Sequence, residues 1–467
     1  MTARPRGPVL DHGNALHEGL GGAGVDPKRL EGDLADRFRA AHAAVEERRR
    51  TGEMGFFRLP GDEELAARSR AAADDLGRDV DALVVIGIGG SALGLAAIRD
   101  ALLPAGWNEL DDEARRGRPR LYILANPDPD TLTALLPRID PERTLFNVVS
   151  KSGTTAETLA QLMVIWSGLE AALGADGLPR RLVVTTSSGR GPLAELAASR
   201  GLRLLPIPEA VGGRFSVLSP VGAFPASVLG VDIDELLMGA REAAARSAHP
   251  TLAENPAGML ATLLHLADTE LGHPVQLFMP YADGLRGFAY WAQQLWAESL
   301  GKALDTEGRL VETGPTPLPA FGATDQHSIL QLMMEGPRDK VVVFLAPEAP
   351  RRDIVVPPVL RDYPALSYLG GHTLFELLQG ERRATAEALR RAGRMNMTIT
   401  FERLDARSLG GLFMLFQIAV AYAGALYGVD PLDQPGVELG KVLTGGLLGR
   451  SGCPDPEIPP VASRWRM

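Results

Sequence analysis

The 467-residue chain has one cysteine, Cys453, which excludes an internal disulfide framework and any zinc site built on thiolates. Lysine is nearly as scarce. Of 48 Lys and Arg residues only five are lysine: Lys28, Lys151, Lys302, Lys340 and Lys441. In so arginine-biased a chain a lysine can mark a site where a compact ammonium cannot be exchanged for a planar guanidinium, or it can be a leftover surface residue. No stretch approaches the roughly 20 apolar residues that span a bilayer. The opening MTARPRGPVLDHGN has no apolar run behind its arginines, so no secretory signal and no membrane are expected, and the expected location is the cytoplasm. No histidines stand four apart and no carboxylates cluster at metal-ligand spacing, so the expected chemistry uses no metal. The formal charge of −10 argues against nucleic acid as the main partner. It does not exclude a small anionic substrate, because a local site can oppose the global sign.

Hydrophobic residues make up 45% and charged residues 23%, the balance of a globular chain with two to four compact units. Residues 1–78 read as helices, with apolar residues at helical spacing around 34–45 and 65–76. From residue 82 short apolar runs alternate with helical segments: 83–90, 121–127, 145–150, 181–187 and 203–208. A helical stretch over 217–271 is broken at Gly230 and near Pro250 and Pro256. A second alternating block has runs at 274–280, 340–347 and 395–403, with helical patterns at 284–300, 325–335, 373–392 and 407–427. One more apolar helix is expected near 437–448. Strands alternating with helices predict parallel sheets covered on both faces. The expected fold class is therefore α/β, with two such blocks between helical N- and C-terminal segments. The divisions are placed at 1–78, 79–250, 251–427 and 428–467.

Two loops have anion-binding character. Gly87-Ile88-Gly89-Gly90-Ser91-Ala92 follows a strand and opens a helix, where glycines allow close approach of a ligand and helix amides attract an anion. It fits G-x-G-x-x-A, a weak dinucleotide signal, but the acidic residue expected about 20 positions on is not convincingly placed. Gly90 and Ser91 also suit a wider turn with a hydroxyl aimed inward. Ser150-Lys151-Ser152-Gly153-Thr154-Thr155 is more informative, because it puts four hydroxyls in six positions between a strand and a long helix. Hydroxyls, free amides and the positive helix end together make a phosphate cradle. Glu157, three residues after Thr154, also satisfies a capping box, but capping needs only one hydroxyl. The order of a Walker loop is absent, and a monophosphate is the favoured ligand.

Three clusters and one turn add acid–base groups. Gly212-Gly213-Arg214 places a guanidinium between a flexible turn and a helix, where it could meet developing negative charge or simply lie on the surface. In Gln293-Gln294-Leu295-Trp296-Ala297-Glu298, the glutamate could be partly desolvated by its apolar neighbours, as suits a general base, or solvated. Among eight histidines, His327 alone stands amid hydroxyl, amide and carboxylate groups. In the segment from Asp433 to Lys441, Gln434 and Lys441 are seven residues apart, about two helical turns, and could reach one pocket.

Together VIGIGGS, SKSGTTAET, GGRFSVLSPVG, QQLWAESLGK, GATDQHSILQ and DQPGVELGK, in that order from about residue 80 to 445, resemble the glucose-6-phosphate isomerase family. The resemblance implies two three-layer α/β/α sandwiches of the sugar-isomerase (SIS) type, no cofactor, and a sugar-phosphate substrate. It implies that Glu298 moves a proton between C2 and C1, that His327 and Lys441 assist ring opening, and that Arg214 stabilises a cis-enediolate. Gly90, Ser91, Ser150, Lys151, Ser152 and Thr155 would hold the 6-phosphate, with Gln294 and Gln434 lining the sugar. It also implies a homodimer, the histidine coming from the neighbouring subunit. Leu432 departs from the pattern, since the family usually has an aromatic there. Competing readings are a dual phosphoglucose/phosphomannose isomerase, a non-catalytic sugar-phosphate sensor, which would need no Glu298, and a dinucleotide oxidoreductase.

Overall fold

The computed structural model describes residues 7–189, 191–459, 461–462 and 465. Strand β1 (Val9–Asp11) lies in the N-terminal segment expected to be helical. β2 (Ala82–Ile86), β3 (Arg120–Leu124), β4 (Thr144–Val149), β5 (Leu182–Ser187) and β6 (Arg203–Ile207) form a parallel sheet in the order β3-β2-β4-β5-β6. β7 (Val275–Pro280) is followed by a hairpin of β8 (Lys302–Leu304) and β9 (Leu310–Thr313). β10 (Thr316–Pro319), β11 (Lys340–Ala349) and β12 (Asn396–Arg403) join β7 and β1 in a second sheet, ordered β1-β12-β11-β7-β10. Only β1 runs antiparallel in it.

Alternation within each run sends side chains to opposite faces. In β2, Leu83 and Val85 pack with Leu95, Val221 and Phe224, whereas Val84 and Ile86 pack with Leu162, Ile165 and Leu193. In β11 the same division separates Val341, Val343 and Leu345 from Val342, Phe344 and Ala346. Both sheets are thus apolar on two sides, which is why their strands read as unbroken hydrophobic runs. The fold is α/β with two sheets covered by helices, as the sequence predicts.

Three local readings change. The β10 run, Thr-Pro-Leu-Pro, carries two prolines and gives no strand signal, yet at a sheet edge the missing amides cost nothing. The helix after the hydroxyl loop starts at Ala156, so Thr155 is its N-cap, and no side chain caps it. The Thr154–Glu157 capping box does not form. Finally, helix Ala406–Tyr427 is long and apolar enough to cross a membrane by length and composition, contrary to the reading that no stretch approaches this. In the fold it is a core helix, with 89% of its most apolar window buried. It crosses helix Ile233–Arg246 with backbones in contact, since a Cβ on Gly239 would collide with the Arg407 carbonyl and one on Gly410 with that of Leu236.

Candidate active site

Sheet order places the first two loops. The chain leaves β2 toward β3 on one side and returns to β4 on the other, so a crevice opens where the direction reverses, outside the carboxyl ends of β2 and β4. Gly87–Ser91 follows β2 and Ser150–Thr155 follows β4. Gly90 is packed so closely on Gly213 and the Arg214 amide that any Cβ would displace them, and Gly89 (φ 56°) has the Gln294 amide nitrogen where a Cβ would stand, at 2.9 Å. The glycines therefore let the turn, Arg214 and the Gln294 helix converge.

The hydroxyl loop has an internal frame. Ser150 Oγ lies 2.8 Å from Thr155 Oγ1 and accepts from the Gly153 amide. Ser152 Oγ accepts from the Thr154 amide and hydroxyl. The Ser150 carbonyl is fixed by Thr186 Oγ1 at 2.6 Å. Ser150 is buried, Lys151 and Thr155 are half-buried and Ser152 is exposed, so the loop is wet on one side. The Ser91 hydroxyl, half-buried, has no hydrogen bond among the described residues.

Glu298 sits near the end of helix Arg286–Leu300. Its Oε2 accepts from Gln294 Nε2 at 3.0 Å and its Oε1 lies 3.2 Å from Arg214 Nη1. The carboxylate side chain is 26% exposed, and its partners are polar. Leu295 and Trp296, expected to desolvate it, are buried in the hydrophobic core instead. Gln294 Oε1 is buried with no hydrogen-bond partner among the described residues.

Arg214 is buried, not a surface residue. Its Nε donates to Ser299 Oγ at 2.7 Å, Nη1 to Gln434 Oε1 at 2.9 Å, and Nη2 to the carbonyls of Pro431 and Asp433. With Glu298 paired to Nη1 at 3.2 Å, every guanidinium nitrogen has a protein partner. The charge is near Glu298, but most of its donors are spent on the C-terminal segment. Burial pushes its pKa below the ordinary arginine value, and Glu298, Asp433 and Asp430 oppose the fall.

Lys302 was not assigned a role from sequence, yet it is part of this cluster. One helical turn after Glu298, its Nζ donates to the Glu298 carbonyl at 2.9 Å and the Asp433 carbonyl at 2.8 Å. The scarcity of lysine was the signal that could have singled it out. Burial lowers its pKa, Arg214 adds to the fall and Asp433 opposes it. Lys151 behaves alike: burial first, then Arg214, push its pKa down, with Glu209 opposing. The hydroxyl loop and the Glu298 group thus share one positive field, which suits an anionic substrate.

Two expected residues stand apart from that group. His327 is exposed, in a short turn over Thr324–His327 after β10. Its neighbours bond elsewhere: Gln326 accepts from the Tyr281 hydroxyl, and Asp325 accepts from Ser328 and the Phe321 amide. Lys441 lies on the exposed helix Glu438–Leu447 and pairs with Glu438 at 2.6 Å. Gln434 reaches the site through Arg214; Lys441 does not accompany it.

Comparison with known proteins agrees with this geometry. A family model described as phosphoglucose isomerase matches residues 66–450. The chain is 42% identical over 449 residues to a glucose-6-phosphate isomerase of Carboxydothermus hydrogenoformans, covering 95% of each. It is 44% identical to that of Rubrobacter xylanophilus, over 92% of this chain and 96% of the relative. The solved glucose-6-phosphate isomerase of Chlamydia trachomatis superposes with a TM-score of 0.79 at 25% identity, over 91% of this chain and 86% of that one. A glycine turn and a hydroxyl loop at the sheet reversal, facing a glutamate held by glutamine and arginine, and relatives matching nearly end to end, place this chain in the phosphoglucose isomerase family.

Proposed function

We propose that the protein interconverts glucose 6-phosphate and fructose 6-phosphate by ring opening and a cis-enediolate, as an aldose–ketose isomerase. The observation that carries this is the Glu298 carboxylate, held at two oxygens beside the glycine turn and within one positive field with the hydroxyl loop. The 6-phosphate sits in the loop, against the hydroxyls of Ser91, Ser150, Ser152 and Thr155, the Lys151 amide and the Gly90 turn. Glu298 takes the proton from C2 of the open-chain aldose. The C2–H electron pair becomes the C1–C2 double bond of the enediolate, and the C1 carbonyl oxygen takes the charge. The base then returns the proton to C1 while the oxygen-bound proton moves, leaving the ketose carbonyl at C2. Gln294 and Gln434 line the sugar, and Gln434 donates through the amide that Arg214 leaves free. Arg214 stabilises the enediolate by its charge at short range, since its own N–H groups hold the protein.

His327 and Lys441 act in ring opening, and both do so in a homodimer whose sites are shared. Their exposure away from Glu298 supports this, as does the apolar surface between β11 and helix Leu374–Arg391. There Val355, Tyr363 and Tyr368 are 58%, 60% and 68% exposed, and Leu439 and Leu448 on the C-terminal side are 68% and 76% exposed. Such surface is costly to leave in water and is the kind that subunits cover. Residues 79–250 and 251–427 act as the two sugar-isomerase units, and the enzyme works in the cytoplasm, where its sugar phosphates are made and used. The test is interconversion of the two sugar phosphates by purified protein in the presence of a chelator. Activity at ordinary enzyme rates supports the reading, and binding without turnover overturns it in favour of a sensor.

A further inference from the structure

On the far side of helix Leu93–Leu102 from the glycine turn, a cleft of about 950 Å³ opens between the first sheet's helices and the start of the core helix Ala406–Tyr427. At 1.5 Å per residue the helix sets it about 15 Å from Ser91. Its floor is apolar, with Leu103, Trp107, Leu229 and Leu404. Its walls are basic, in a chain whose net charge is −10. Arg116 and Arg118 come from the loop before β3, Arg351 and Arg352 from the chain after β11. None of these four guanidiniums makes a hydrogen bond or ion pair among the described residues; Arg118 only packs against Gly230. The fifth, Arg115, is buried beneath them and is bonded to Asp112 and to the Leu110 and Arg118 carbonyls.

Two carboxylates also line the cleft, and both are engaged. Asp232 accepts from the Asp234 and Glu235 amides as the cap of helix Ile233–Arg246. Asp405 accepts from the Ser408 amide as the cap of the core helix. Asp405 is felt by Arg351 through space, without a bond. Four guanidiniums from two segments line one cleft without a protein partner, and a ligand with several negative charges would supply the partners. The volume is that of a small-molecule site, and the apolar floor suits a flat ring better than more phosphate.

We propose that this cleft binds a small organic polyanion with two or more phosphate groups, of the nucleoside polyphosphate class, at a site separate from the isomerase centre. Calorimetric titration of the full-length protein with inorganic tripolyphosphate and, separately, with ATP tests it. Tripolyphosphate should bind, and ATP more tightly, because its base covers the floor. R351A/R352A should weaken both at least about tenfold, as expected for losing charge-assisted bonds. S150A/T155A, in the phosphate loop, should leave both affinities unchanged. Absence of binding below 1 mM, or binding lost in S150A/T155A but kept in R351A/R352A, overturns the proposal. ATP binding no tighter than tripolyphosphate overturns the organic part of it. If R351E/R352E changes the sedimentation of a protein that binds neither probe, the cleft is a subunit surface and the proposal fails.

Discussion

Glu298→Gln separates the chemistry from the fold better than any other single change. The side chains have nearly the same shape, and the two contacts of Glu298 can be rebuilt around an amide. The new carbonyl oxygen can still accept from Arg214 Nη1, which lies 3.2 Å from the carboxylate now. The new NH₂ would face Gln294 Nε2, a donor against a donor. Gln294 can answer by turning its amide over, since its Oε1 is buried with no partner among the described residues and would gain one. The fold should therefore survive, at the cost of one charge pair beside a buried arginine. What is lost is the proton acceptor. General base catalysis is worth about 10²–10⁴-fold, or roughly 3–5 kcal/mol of barrier. Hence kcat for fructose 6-phosphate should fall by that factor while KM stays within about threefold, read in a coupled assay for glucose 6-phosphate. Exchange of the C2 and C1 hydrogens with solvent deuterium should fall in parallel. A variant whose kcat is within tenfold of the wild type, in a protein with unchanged thermal stability, would refute the assignment of Glu298 as the base.

The remaining predictions concern binding, packing and pH. S150A/T155A removes the 2.8 Å hydroxyl pair from the loop and two donors to a dianion; at about 1.5–3 kcal/mol for each bond to a charged group, KM should rise at least tenfold, and an unchanged KM would remove the phosphate from this loop. Gly410→Ala puts a methyl against the Leu236 carbonyl at the helix crossing and should cost about 1–3 kcal/mol in urea unfolding, whereas a neutral result would mean the helices part freely. Glu387, bonded by Arg390 and then Arg391, has its pKa pulled from the usual 4.5 to about 2, so its stabilising contribution is complete above pH 4.5 and fades as pH falls toward 2. Glu387→Gln should flatten the stability profile in that window only, and an unaltered acid limb would show the pairs contribute nothing.

What the sequence could tell depended on how local the physics was. β2 was legible because every residue in it is buried and apolar, and β4, equally buried, was legible despite Asn147 because the apolar residues on either side of it carry the run. β10 was not, because its two prolines are tolerated only through its position at the sheet edge, which is a property of the assembled sheet. On helix Arg286–Leu300 one face was legible: Gln294 and Glu298 are four apart and bond to each other. The environment of Glu298 was not. Its apolar neighbours in sequence turn into the core, and the group that meets it, Arg214, comes from a distant loop. The hydroxyl loop was read as more than a cap on a count of hydroxyls, and Thr155 proves to make no capping bond.

The arrangement of Arg214 changes what a buried arginine does here. The family resemblance implies that Arg214 stabilises a cis-enediolate, and a guanidinium with free donors could do so by hydrogen bonds. This one is already bonded to Ser299, Gln434, the Pro431 and Asp433 carbonyls and Glu298, so it cannot donate to substrate without dropping a protein partner. Dropping the Pro431 carbonyl would leave a polar group unpaired in the interior, worth about 1–3 kcal/mol, whereas the Asp433 carbonyl would keep its bond from Lys302. The less costly exchange is at Nη1, where the two acceptors are side chains that can move. That makes Gln434 and Glu298, rather than the arginine itself, the adjustable parts of the site. It also ties them to one pivot. Lys302 adds a second tie between the same two segments, from the Glu298 carbonyl to the Asp433 carbonyl. Glu298, proposed as the base, and Gln434, proposed to line the sugar, are therefore held to one another by cations before any substrate arrives, and the positive charge that holds them is the same charge that would stabilise an enediolate.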